Sequence, residues 1–193
     1  MHRVLVLGAG KIGALISGLL GESGDYEVQL ADVDGDLARS VALAHDLPGV
    51  EAYELDAGDA AQLAAHLAAH PTDAIISGLP YFCNETVANA ARGAGCHYFD
   101  LTEDVVVTRA VRAIATGADT AFAPQCGLAP GFVSIAANEL MNHFDEVQAV
   151  KLRVGALPQH PNNVLKYSLT WSTDGLINKY GNMCQSVVDG KLV

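Results

Sequence analysis

Arg3 to Asp34 reads RVLVLGAGKIGALISGLLGESGDYEVQLADVD. An apolar run, Val4 to Leu7, halts at Gly8, and Gly8, Gly10 and Gly13 then space out G-x-G-x-x-G ahead of an apolar segment of helical length. A second apolar run, Val28 to Ala31, ends in Asp32, 19 residues beyond the last glycine of the motif. The pattern predicts strand, tight turn, helix and strand, with an acid placed where a ribose would lie. Gly8 serves the sharp turn, Gly10 the close approach of backbone to a pyrophosphate, and Gly13 the packing of helix on strand. The first helical residues, Lys11 and Ile12, then offer unpaired backbone N–H groups to that pyrophosphate. The glycine spacing alone is a weak signal in a chain with 19 glycines. With its flanking strands and Asp32 it makes dinucleotide binding the expectation, against a structural βαβ unit that holds no ligand.

Outward from this unit, 193 residues fit one domain of ordinary size, or one domain and part of another. Half of the residues are apolar and 17% are charged, so a large core is available. The net charge of −11, with no cluster of Lys and Arg, argues against nucleic acid and anionic lipid as partners. Arg3 followed by an apolar run resembles a signal peptide. Lys11 interrupts that run and no clear small-residue cleavage site follows, so a mature N-terminus is expected. No apolar stretch approaches the ~18 residues of a membrane span. Cys83, Cys96, Cys126 and Cys184 are scattered without zinc-ligand spacing and read as reduced thiols of a cytoplasmic protein. His66 and His70 stand at i and i+4 without the H-E-x-x-H pattern, so no metal is expected.

Further along, helical spacing over Asp36 to Asp46 is followed by a strand at Glu51 to Leu55, closing in Asp56. Alanine-rich Ala60 to Ala69 is a strong helix former, broken by Pro71. Asp73 to Gly78 reads as a buried strand, after which Asn84 can cap a helix to Gly93. His97 to Leu101 is the fifth strand, and Thr102 is expected to cap a helix over Glu103 to Ala115. Ala121 to Pro124 is the sixth strand, and a glycine- and proline-containing turn leads to a helix ending near His143. Six alternations predict an α/β fold, a Rossmann-type doubly wound parallel sheet, over residues 1–145. From Glu146 the period changes. Val147 to Leu157 alternates as a strand and Leu165 to Trp171 reads as another, so residues 146–193 are expected to begin a second, α+β domain. At 48 residues that remainder is thin for a core of its own, and the chain is expected to stop inside it.

Beyond the glycine motif and Asp32, the blocks SGLPYFCNETVANAARGAGCHYFDLTED, PQCGLAPGF, KLRVGALP and NNVLKYSLTWSTDGL follow in order. Together they resemble the saccharopine dehydrogenase family, closest to its lysine 6-dehydrogenase branch and its bacterial members. The resemblance implies a cofactor domain followed by a substrate and dimerisation domain, in chains about twice this length. It also implies a homodimer, an amino-acid substrate derived from lysine, and NAD or NADP as cofactor. Asp56 resembles the family's acid beside the adenine pocket, with a loop-capping aspartate as the alternative. Trp171, in the Tyr-x-x-x-Trp-Ser block, falls in the region that the resemblance gives to the substrate.

Ligands of such sheets bind beyond the carboxyl ends of the strands, so three loops qualify: Gly78 to Asn84, Asp100 to Asp104, and Gln125 to Gly131. His97 opens its strand and so lies at the wrong edge. Gly78 and Pro80 let a cofactor pass close to the backbone, while Tyr81 and Asn84 offer hydrogen bonds near a nicotinamide. Asp100 and Glu103 are carboxylates at the productive edge, and each is a candidate general base beside a helix-capping alternative. The order of preference for the proton-handling group is Glu103, Asp100, Tyr81. Asp32 can hold the adenosine ribose and its charge would repel a 2′-phosphate, which favours NAD; Arg39, seven residues on, keeps NADP open. Arg153 and Lys166 are the candidate cations for a substrate carboxylate, as Arg in particular grips carboxylates through two hydrogen bonds.

The expectation is therefore an NAD(P)-dependent oxidoreductase acting on the carbon–nitrogen bond of a lysine-derived amino acid. Two alternatives stay open: a dinucleotide-binding module without turnover, and a regulator that senses NAD(H).

Overall fold

The computed structural model describes residues 1–155, 157–169, 173–181 and 186–193. Six strands form one parallel sheet: β1 (His2–Leu7), β2 (Tyr26–Asp32), β3 (Val50–Glu54), β4 (Ala74–Ser77), β5 (His97–Asp100) and β6 (Phe122–Ala123). Their spatial order is β3-β2-β1-β4-β5-β6. The chain thus steps outward from β1 to β3, returns to the centre, and steps out the other way. The point of reversal lies between β1 and β4, where a crevice opens at the carboxyl edge.

Each crossover is a helix with a legible start. Helix α1 (Lys11–Ser23) springs from the glycine turn, and α2 (Gly35–His45) is capped by Asp34, whose carboxylate accepts from the amides of Asp36 and Leu37. Helix α3 (Ala60–Ala69) is capped in the same way by Asp59. Helix α4 (Asn84–Ala94) ends at Gly95 in the left-handed region, and α5 (Val105–Ala115) closes the series.

Alternation along the strands splits the core in two. Val4, Val6, Val28 and Leu30 meet Ile16 and Leu20 of α1 and Ala38 and Val41 of α2. Leu5, Leu7, Ile75 and Tyr98 meet Leu63 of α3, Val87 and Ala91 of α4, and Val111 of α5. Both faces are therefore clad, as parallel strands require.

Three expectations need correction. The cap of α5 is Asp104, whose carboxylate accepts from the Val107 amide at 2.7 Å; Thr102 lies two residues earlier and accepts from the Asp104 amide. Asn84 is not a cap, since a 3-10 turn over Tyr81–Cys83 precedes α4 and the buried Asn84 side chain accepts from Ser77. Residues 147–155 and 165–169 carry no strand; Val150, Leu152 and Val154 alternate in sequence but stand about half exposed. A strand needs a neighbour for its ladder, and none lies beside them among the described residues. Beyond β6 come α6 (Phe132–Met141), α7 (Thr173–Gly181) and a short antiparallel pair, β7 (Val187–Val188) with β8 (Lys191–Leu192).

Candidate active site

At the carboxyl edge the glycine turn is held tightly. Gly8 adopts φ +93°, and its amide donates to the Ala31 carbonyl at 2.8 Å, so the turn is anchored to β2. A Cβ at Gly13 would fall 1.7 Å from the Gly8 carbonyl oxygen, whereas one at Gly10 would meet nothing within 4 Å. Gly13 thus lets the helix close on the turn, and Gly10 faces open space. Gly10 is also the N-cap of α1, and among the described residues no side chain caps that helix. Its first amides and the positive end of its dipole are directed at the crevice, with Lys11 and the half-exposed Ile12 at the rim. Across the crevice, Gly78 donates to the Leu7 carbonyl at 2.8 Å, and a Cβ there would come within 3.1 Å of the same oxygen. Such a cradle, uncapped at the helix end and walled by glycine backbone, fits a pyrophosphate.

Asp32 has two tasks at once. Its Oδ2 accepts the Ala9 amide at 2.7 Å and its Oδ1 accepts the Asp34 amide at 2.9 Å, which fixes the half-buried carboxylate beside the glycine turn. Asp56 is exposed and accepts the Gly58 amide at 2.9 Å, forming the turn after β3.

A second cluster lies at the ends of β4 and β5, which the sheet register brings level at Ser77 and Asp100. Asp100 is fully buried: its Oδ2 accepts from the Tyr98 hydroxyl at 2.7 Å, and its Oδ1 from the amides of Thr102 (2.9 Å) and Gln125 (3.1 Å). It knots together the loops that follow β5 and β6. Burial first, and then the neighbouring Asp100 carboxylate, drives the Tyr98 phenol far above its usual range, so it stays a proton donor. The buried Asn84 accepts from Ser77 Oγ at 2.7 Å. Tyr81, half-buried, and the exposed Pro80 stand before it on the loop after β4. Glu103, half-buried, sits between the Asp100 knot and the α5 cap. Burial, with Asp56 adding, pushes up the Cys83 thiol on the same loop.

The structure gathers the glycine turn, Asp32 and Gly78 in one crevice, and Asp100 with Tyr98, Thr102 and Gln125 beside it. Arg153 and Lys166 are exposed and lie on the segment after α6, while Trp171 lies outside the described residues. Sequence reasoning missed Asp104 and Asn178. The Asn178 side chain of α7 donates to the second Asp104 oxygen at 2.8 Å, bringing the later part of the chain to the edge of the site. No local pattern reveals that pairing, because the two residues are 74 positions apart. Among the described residues no group of three His, Cys, Asp or Glu is placed to hold a metal, and no helix is long and apolar enough to cross a membrane.

Comparison with known proteins agrees with this geometry. Residues 4–129 match the saccharopine dehydrogenase NADP binding domain and residues 127–193 the saccharopine dehydrogenase C-terminal domain. The whole chain is 25% identical to a saccharopine dehydrogenase [NADP(+), L-glutamate-forming] from Schizosaccharomyces pombe, covering 43% of it. Apo saccharopine dehydrogenase (L-Glu forming) from Saccharomyces cerevisiae superposes with TM-score 0.75 at 21% identity, over 100% of this chain and 44% of that one. A putative myo-inositol dehydrogenase from Sinorhizobium meliloti shares the fold over 74% of this chain and 41% of its own, with TM-score 0.55 and 19% identity. The chain thus spans less than half the length of these relatives. The six parallel strands, the glycine cradle and the match over both regions lead to one conclusion: the chain belongs to the saccharopine dehydrogenase family and carries its NAD(P)-binding Rossmann domain.

Proposed function

We propose that this chain is the cofactor-binding part of an NAD(P)-dependent oxidoreductase acting on the carbon–nitrogen bond of a lysine-derived amino acid. The observation that carries the reading is the uncapped α1 N-terminus facing Gly78 across the β1–β4 crevice, within a family of dehydrogenases. A nicotinamide held in this cradle would supply the hydride acceptor for oxidation of the carbon that bears the amine. The protein's own residues do the rest. Gly8, Gly10, Gly13, Lys11 and Ile12 hold the diphosphate, Asp32 orients the ribose, and Asp56 lies toward the adenine. Gly78, Pro80 and Asn84 shape the wall beside the nicotinamide. Glu103 takes the amine proton and later assists the water, with Tyr81 as the second choice for that step. Asp100, the second candidate for that step by sequence, is fully buried beneath three hydrogen bonds and is assigned instead a positioning role, fixing the loops that carry these groups.

Residues 146–193 begin the substrate and dimerisation domain, where Arg153, Lys166 and Trp171 are the groups assigned to the substrate. A homodimer in the cytoplasm completes the reading. The test is a turnover assay: purified protein with NAD or NADP, and lysine or saccharopine, followed at the absorbance of the reduced nicotinamide. Reduction that depends on both components supports it; no reduction with any pair overturns it.

One observation favours a second reading. The uncapped α1 N-terminus facing glycine backbone needs no substrate group, so a dinucleotide-binding module that turns nothing over fits the same cradle. Calorimetric binding of the dinucleotide with no reduction in the assay would select it.

A further inference from the structure

We infer that the turn after β2 and the tip of β3 select NAD(H) against NADP(H) by charge, with Asp36 and Glu54 keeping Arg39 from serving a 2′-phosphate. The inference rests on the dinucleotide reading above and deepens it. Between Asp32 and Glu54 the only Lys or Arg is Arg39, against the acids Asp32, Asp34, Asp36, Asp46, Glu51 and Glu54. Three of these acids, Asp32, Asp34 and Glu54, lie together at the carboxyl edge of β2 and β3, the side on which a 2′-phosphate would enter.

The register of β2 and β3 pairs Asp32 with Glu54 at the carboxyl edge. Asp34 follows two residues later and turns its Oδ1 onto the amides of Asp36 (3.1 Å) and Leu37 (3.0 Å). The N-terminus of α2 is thereby filled by its own carboxylate, so the helix end that would welcome a phosphate is already occupied. Glu54 closes the other side. A Cβ placed on Gly35, the residue after Asp34, would lie 2.8 Å from Glu54 Oε2 and 3.1 Å from Arg39 Nη1, so both side chains flank this glycine. The Arg39 guanidinium is in reach of the turn, but its Nη2 donates to Asp36 Oδ1 at 2.7 Å. A phosphate monoester carries about −1.5 to −2 charges at neutral pH. It would enter among Asp32, Asp34 and Glu54 facing a cation already neutralised, whereas a ribose hydroxyl can donate to Asp32. The Arg39–Asp36 pair is well exposed on both sides, so its removal redirects Arg39 with little effect on the fold.

The experiment measures dissociation constants of NADH and NADPH by calorimetry on the wild-type chain, on Asp36→Asn/Glu54→Gln, and on that pair combined with Arg39→Ala. Wild type is expected to bind NADH about tenfold or more tightly than NADPH, the size of a few screened charge contacts. The double variant should narrow the ratio about tenfold through tighter NADPH binding, and adding Arg39→Ala should erase that gain. The wild-type preference should also shrink as salt is raised, because exposed charges are screened. Equal wild-type affinities, or a ratio that the double variant leaves unmoved, overturn the inference. Failure of both dinucleotides to bind overturns instead the reading on which it rests.

Discussion

Asp32 and Ala9 are joined by the hydrogen bond that sets the mouth of the site: the Asp32 carboxylate, at the end of β2, accepts the backbone amide of Ala9 in the glycine turn at 2.7 Å. The acid proposed to hold the ribose is therefore also the brace of the turn proposed to hold the diphosphate. Removing it acts on both.

Asp32→Ala should lower stability by about 2 kcal/mol, as hydrogen bonds to a charged group are each worth about 1.5–3. It should weaken dinucleotide binding as well. Asp32→Asn, which keeps one carbonyl oxygen, should lose less stability. Urea denaturation with and without NADH separates the two effects, and an Asp32→Ala variant as stable as wild type would rule out the brace.

The two glycines of the turn should respond in opposite ways. Gly13→Ala places a methyl 1.7 Å from the Gly8 carbonyl oxygen, a backbone atom that cannot yield, so thermal stability should fall by about 3 kcal/mol or more. Gly10→Ala meets open space and has φ −65°, so the fold should keep its stability within about 0.5 kcal/mol. Dinucleotide affinity should nevertheless fall, because the new methyl enters the open space proposed for the diphosphate. Melting curves and calorimetry on both variants read the contrast.

Tyr98→Phe removes the hydroxyl that donates to Asp100 at 2.7 Å and leaves a buried carboxylate oxygen short of a partner. A loss of about 1–3 kcal/mol is expected. Because Asp100 also holds the amides of Thr102 and Gln125, hydrogen exchange should quicken at those two positions before it does elsewhere in the sheet. Uniform exchange would show that Asp100 does not organise the two loops.

At the opposite edge of the sheet, Arg3 pulls the Asp73 carboxyl down to about 2, through its side chain first and its own backbone amide second. An unfolded aspartate titrates at about 3.9. The native state thus binds this proton less readily than the unfolded chain. The contribution of the pair is full above about pH 4 and fades as pH falls from there through about 2. The stability gap between wild type and Asp73→Asn should be constant from pH 5 to 7 and close over that acid window, as followed by urea denaturation at stepped pH. The pair is partly exposed, so the gap is expected to be small.

The alternation of strands and helices through residue 123 was legible because each βαβ unit is written locally: an apolar run, a capping Asp or turn Gly, a helix with one apolar face. Ala60–Ala69 appears with the bounds that its alanines and Pro71 imply. The alternation from Val147 onward carried the same local signal and formed no strand, since a strand is completed by a partner that the segment does not itself encode. The side chains of Asn84 and Asp100 were legible as polar groups at the productive edge. That Ser77 and Tyr98 use them there was not.

By itself, then, the order of residues determined the six-stranded scaffold, the glycine turn between β1 and α1 and the family to which the chain belongs. Which carboxylates are engaged by backbone, which face the crevice, and that Asn178 reaches Asp104 were decided only by the tertiary structure. The reason is physical. Backbone conformation answers to neighbours a few residues away, but a side chain's hydrogen-bond partner is set by how elements distant in the chain come to rest against one another.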